Sequence, residues 1–134
     1  ESKAFIKTIS KYQIVSNDEL ITIFNRICNE EWDRLKLNKT DEINIQNKYH
    51  ELYYEYSVNR FERLKNYIDI PSNSMDLSEL YLQNLSNEKN YNYYAVELCS
   101  FLANKTKLVI ATNGLFNVQK SRLNDIDKLF YKMY

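Results

Sequence analysis

KLVIATNG, residues 107–114, is a continuous apolar run that ends in a polar turn carrying a glycine. Leu108, Val109, Ile110 and Ala111 show no alternation. That pattern predicts a central parallel strand covered on both faces. Thr112, Asn113 and Gly114 end it, and helical spacing follows with Leu115, Phe116, Val118 and Leu123, then Ile126, Leu129, Phe130 and Met133. One strand can neither cover its own faces nor satisfy its own edges. The run therefore reads as one piece of a doubly wound parallel sheet whose other strands come from outside the sequence shown.

Upstream the pattern is helical. Ala4, Phe5, Ile9 and Tyr12 recur at helical spacing, with Lys3, Lys7 and Lys11 on the other side. Ser16 followed three residues later by Glu19 has the form of a capping box. Behind it Leu20, Phe24, Ile27, Glu31 and Leu35 form one stripe, which Ile21, Cys28 and Trp32 widen into the broad face of a bundle helix. A turn at residues 37–40 leads into a third helical pattern reaching about Tyr67, with Asn38 or Thr40 as its cap. It is either one helix or two broken near His50. Ser74 is placed to cap a helix with Leu77, Leu80, Tyr81 and Leu85 inward. Residues 93–103 are apolar nearly all round, which predicts packing on more than one side.

The fold class is thus mainly α, a helical body, with a fragment of an α/β doubly wound parallel-sheet core. The division is drawn at 1–88 and 89–134. Composition agrees with a helical majority. Gly114 is the single glycine and Pro71 the single proline of 134 residues, where ordinary usage gives roughly ten glycines. A complete α/β enzyme needs glycines in its strand-to-helix turns, so Gly114 marks the one place where the backbone turns unusually closely.

Charge excludes some partners. Eighteen basic and eighteen acidic residues cancel, and no basic run interleaves with the tyrosines. An electrostatic nucleic-acid groove needs more positive charge than this. The expectation is no nucleic acid and no membrane partner. No apolar run of membrane-spanning length and no signal peptide are readable, so the reading is cytoplasmic. Cys28 and Cys99 sit within apolar helical patterns and read as buried thiols. With one histidine, His50, they make a poor zinc set.

In open α/β folds ligands bind beyond the carboxyl ends of the strands. Thr112 is the first residue past such an end. Its hydroxyl and the Asn113 amide can donate to a phosphoryl oxygen. Gly114 allows close backbone approach, and a helix N-terminus follows. An ordinary turn after a buried strand is the competing reading. A triphosphatase phosphate loop is excluded, because that needs more glycines and a lysine before Ser or Thr.

Residues 105–129, KTKLVIATNGLFNVQKSRLNDIDKL, resemble the second motif region of the haloacid-dehalogenase superfamily of phosphatases. They are most similar to its noncanonical pyrimidine nucleotidase branch, in Thr112-Asn113-Gly114, Phe116 (an aromatic one place later than usual), Gln119, Arg122 and Leu123. Residues 1–12 look like the first helix after the nucleophile loop. Arg60-Phe61-Glu62-Arg63-Leu64 and Glu79-Leu80-Tyr81-Leu82 resemble segments of that branch's helical cap. The resemblance implies a parallel-sheet core with an inserted helical cap, an aspartyl-phosphate intermediate and Mg2+. It implies a small phosphate monoester as substrate, with a pyrimidine nucleoside monophosphate as one candidate. It gives Thr112 the phosphoryl-holding role, with Asn113 and Gly114 shaping the loop, and it turns Arg60 and Phe61 toward the substrate. A dehalogenase-type hydrolase and a non-enzymatic helical interaction module are the alternatives.

The departures are as informative. No Asp-x-Asp pair follows an apolar strand, and the lysine and metal-binding acids expected after the next strand are missing. Asn92-Tyr93-Tyr94 stands where the branch has proline-glycine before a helix. A chain without nucleophile, acid/base group and metal ligands should not hydrolyse phosphate esters. The expectation is a piece of a longer protein, whose missing core segments, or another chain, complete the sheet. The other reading is a member that has lost its catalytic residues. Among single residues, Trp32 is read as core, or as a cap residue stacking on a base. Arg60 and Arg63 are read as a solvated face with ordinary ion pairs, or Arg60 as reaching a substrate.

Overall fold

The computed structural model describes residues 1–12, 16–39, 41–89, 91–112 and 115–134, without the side chain of Gln46. The chain divides into two compact units, Glu1–Tyr81 and Leu82–Tyr134. It is mainly helical, with one small parallel sheet.

The N-terminal unit begins with α1, Ser2–Ile9, which continues as a 3-10 turn over Ser10–Tyr12. Ala4, Phe5, Thr8 and Ile9 are its buried face. Helix α2 spans Asn17–Arg34. Its start follows the sequence signal, since the Ser16 hydroxyl accepts the Glu19 N–H. Leu20, Phe24, Ile27 and Glu31 are its buried stripe. Phe24 is the hub of the core. Its ring stacks on Phe5 of α1 at 4.0 Å and meets Phe61 at 5.5 Å and Tyr81 at 5.9 Å.

Helix α2 ends without a glycine. Lys36 takes the left-handed conformation (φ 56°). The Lys36 N–H bonds Asp33 O and the Leu37 N–H bonds Trp32 O, both at 3.1 Å. This is a Schellman closure with its customary apolar contact, because buried Leu37 packs beside Trp32.

Helix α3, Ile43–Leu64, is one unbroken rod, which settles the question of a break at His50. Its N-cap is Glu42, which makes no side-chain capping bond. Asn38 therefore does not cap it, and Thr40 lies outside the described residues. Trp32 meets Tyr53 and Tyr56 of α3 edge-on, at 6.4 and 5.2 Å, so it is a packing residue between α2 and α3. Helix α4, Ser74–Ser86, is capped by Asn73, whose Oδ1 accepts the Asp76 N–H at 2.8 Å. Ser74 was the expected cap. It is instead buried and donates its hydroxyl to Glu62 of α3.

The C-terminal unit holds α5 (Ala95–Ala103), β1 (Val109–Ile110), α6 (Phe116–Leu123), a 3-10 turn (Asp127–Leu129) and β2 (Lys132–Met133). The two strands pair in parallel, Val109 with Lys132 and Ile110 with Met133. Two expectations change here, and one holds. The helical reading of residues 126–133 gives way to the 3-10 turn and β2. The β1 strand is uncovered, as expected of a strand whose sheet neighbours come from outside the sequence shown: Val109 is 51% exposed, and β2 is its one partner among the described residues. Helix α5 has no buried residue, and Leu98 and Phe101 face outward.

Candidate functional site

Thr112 lies two residues past β1 and is half-buried. Its backbone prolongs the parallel ladder: Tyr131 N–H donates to Leu108 O at 2.7 Å, Tyr134 N–H to Ile110 O at 2.8 Å, and Thr112 N–H to Tyr134 O at 3.1 Å. These bonds anchor the main chain where the strand hands over to the turn. Helix α6 starts four residues on, with Leu115 at its N-cap and no side-chain capping bond. Asn113 and Gly114, the other two expected phosphate-loop residues, lie outside the described residues.

Against this strand pair lies a cavity of about 100 Å³, lined by Ile110, Phe116, Lys120, Leu123, Phe130 and Met133 among others. Its wall is largely apolar. A second hollow of about 120 Å³ sits where Glu88, Lys89 and Tyr91 meet α6. Arg122 of the expected Gln-x-x-Arg-Leu helix works structurally there. Its Nε donates to Glu88 O at 3.0 Å, and its carbonyl accepts the Tyr91 hydroxyl at 2.7 Å. Lys89 pairs with Asp125 at 2.9 Å.

Arg60 and Phe61 belong to the other unit. Phe61 is fully buried and packs on Phe24 and Tyr81. Arg60 is 3% exposed, so the reading of it as a solvated ion-pair residue does not hold. Its guanidinium lies 4.2 Å from the Tyr56 ring centre, 4.9 Å from that of Tyr81 and 5.5 Å from that of Phe24. Its Nη1 donates to the Tyr56 hydroxyl at 3.4 Å and to Cys28 Sγ at 3.7 Å. Burial pushes the Tyr81 phenol up to about 12, against the nearby Arg60 charge, which pulls it down. Burial raises the Cys28 thiol as well, again opposed by Arg60. Both therefore stay protonated at neutral pH. The Glu1 charge also pushes them up, so a negative charge does reach this cluster, though among the described residues no carboxylate hydrogen-bonds the guanidinium.

Arg63, one turn on from Arg60, pairs across to Glu30 and Glu31 of α2 and not along its own helix. Sequence reasoning placed Glu31 on an apolar stripe without predicting its partners. The signal was available: a carboxylate on an inward face needs a cation opposite.

Cys28 and Cys99 are free and half-buried, less enclosed than the two buried thiols expected. Among the described residues no group of three or more His, Cys, Asp or Glu could hold a metal ion. Nor, among them, is any helix long and apolar enough to cross a membrane. Comparison with protein-family profiles, with curated proteins and with solved structures found no match to this chain.

Proposed function

We propose that this chain supplies the phosphoryl-holding strand and the helical cap of a phosphatase acting on a small phosphate monoester, with a pyrimidine nucleoside monophosphate as candidate substrate. The observation that carries the reading is the β1–α6–β2 arrangement. A strand leads to Thr112, the chain crosses by a helix, and the next strand returns parallel. Parallel pairs joined this way belong to α/β cores, in which ligands gather beyond the carboxyl ends of the strands. Thr112 stands at that end, and the motif resemblance gives it the same task.

The division of labour follows from the residues present. The Thr112 hydroxyl can donate one hydrogen bond to a phosphoryl oxygen and fix its orientation. It supplies neither an attacking group nor a second charge. The Mg2+ implied by the resemblance finds no ligand set among the described residues. The nucleophile and general acid belong to residues this sequence lacks, and the 134-residue chain alone should be inactive.

The test uses the gene product that contains this sequence together with whatever flanks it. Phosphate release from a pyrimidine nucleoside monophosphate, with Mg2+ supplied, is expected to fall about 10²-fold or more in kcat/KM on Thr112→Ala, the scale of losing one preorganised donor. Unchanged turnover in a folded variant would overturn the role given to Thr112. A non-enzymatic interaction module is the second reading, favoured by the outward Leu98 and Phe101 of α5. An intact product that hydrolyses no phosphate ester would leave that reading standing.

A further inference from the structure

The N-terminal unit buries a full positive charge that, among the described residues, no carboxylate hydrogen-bonds. The one acidic side chain felt in the surrounding cluster is that of Glu1, which pushes Cys28, Tyr53 and Tyr81 up without bonding Arg60. Arg60 is closed to solvent, and among the described residues neither its Nε nor its Nη2 has a hydrogen-bond partner. The aromatic rings of Phe24, Tyr56 and Tyr81 offer their electron-rich faces to the cation. That offsets charge but leaves the N–H groups unanswered. Among the described residues only Nη1 is engaged, by a phenol oxygen and a thiol sulfur, both weak acceptors beside a carboxylate.

Which nitrogens are left over matters. In a planar guanidinium the Nε proton and the nearer Nη2 proton point the same way. Together they form the side-on edge that grips two oxygens of one carboxylate or phosphate. Among the described residues that whole edge of Arg60 is open. Ser57 lies three residues earlier on α3, on the same helical face. It too is buried, and its Oγ is without a partner among the described residues. The unmet groups are thus a paired N–H edge and a hydroxyl, and all three can donate to an acceptor. Buried donors left unmet are costly, and a buried charge more so.

We propose that the open edge of Arg60, with the Ser57 hydroxyl one turn away, is an oxyanion-binding site that takes the phosphate or carboxylate group of a small ligand. The site is closed in this structure, so a ligand enters only when covering side chains shift. Tyr56, Tyr81 and Phe24 hold the guanidinium in place and exclude water from it, which strengthens the bond to an anion that does enter. The inference stands whether or not Thr112 holds a phosphoryl group, since Thr112 lies in the other unit.

The test is a titration of the isotopically labelled chain with inorganic phosphate, phenyl phosphate and benzoate, at constant ionic strength set by chloride. A saturable shift of the Arg60 Nε–H resonance is expected, with a rise in the thermal midpoint. A response to the two phosphates assigns a phosphoryl ligand, and a response to benzoate a carboxylate. Arg60→Met, which keeps the bulk and removes the edge, is expected to weaken the anion effect about tenfold or more. Arg60→Lys should not restore it, because an ammonium offers no side-on pair. The proposal is overturned if none of the three anions moves the Arg60 resonance saturably, or if Arg60→Met keeps the full thermal response. Should the methionine variant fail to fold, the resonance titration of the unaltered chain decides alone.

Discussion

Arg63 of α3 donates to Glu31 of α2 at 2.9 Å, and so ties the two longest helices of the chain together through a carboxylate that is 3% exposed. Arg34 donates to the other oxygen of the same group at 2.8 Å. Burial pushes the Glu31 carboxyl up, but the hydrogen bonds from Arg34 and Arg63 outweigh it and hold it below the usual range. A group whose pKa is lowered by folding contributes stability above its unfolded value, about 4.3, and loses it as pH falls through the folded one. Both arginines are partly exposed, which discounts the pair. Glu31→Gln is therefore expected to cost about 1–2 kcal/mol at neutral pH. It should also flatten the acid limb of stability against pH, read from urea midpoints at neutral and acid pH. An acid limb as steep as that of the unaltered chain would sink the assignment.

Phe24 touches Phe5, Phe61 and Tyr81 at once, so its removal opens a cavity shared by four helices. Phe24→Ala should lower stability by about 3–5 kcal/mol, and Phe24→Leu by much less. Denaturant unfolding followed by far-ultraviolet circular dichroism measures both. A loss below about 1 kcal/mol would show that Phe24 is not the centre of the core.

The tyrosines carry an alkaline signature. Burial raises the phenols of Tyr49, Tyr53, Tyr56 and Tyr81, the last to about 12. An acid whose pKa is raised by folding keeps its proton in the folded chain while the unfolded chain gives it up. Stability should therefore fall as pH rises from about 10 through the Tyr81 value of about 12. Phenolate absorbance should show a delayed fraction of tyrosines, and Tyr81→Phe should remove one of them. Simultaneous ionisation of all tyrosines near their ordinary value would contradict the burial of this cluster.

Lys36 closes α2 in a conformation that a glycine adopts freely and a lysine does not. The strain of a left-handed non-glycine residue is about 1–2 kcal/mol, and glycine's entropy takes some of the relief back. Lys36→Gly, at an exposed position, should raise stability by roughly 0.5–1 kcal/mol. A shift of the urea midpoint to lower concentration would refute the strain.

Much of the helical body was legible because its signals are local. The α2 stripe and the Ser16 cap are set by residues three or four places apart along one helix. Where two local signals competed, tertiary partners decided. Asn73 and Ser74 are equally good caps, and the choice fell to Asn73 because Ser74 is drawn to Glu62, twelve residues away on another helix. Arg60 looked like a surface residue by type, yet it sits one place before buried Phe61 and four after buried Tyr56. Position on the stripe outweighed polarity there. In the C-terminal unit the apolar spacing of Ile126, Leu129, Phe130 and Met133 imitated a helix. Pairing with β1, which no local pattern records, made its end a strand. The run around Thr112 was readable as a strand leading into a turn, and its lack of cover too, because a lone strand cannot cover its own faces.

A ladder only two residues long in each strand also sets a tempo. Opening β1 from β2 breaks few bonds and uncovers little that was not already wet, since Val109 is half in water. Amide protons there should trade with solvent deuterium orders of magnitude sooner than those in the middle of α2 and α3, where release needs the aromatic core to come apart. The segment around Thr112 would thus be the quick part of a slower molecule, able to re-form around whatever comes to lie against it.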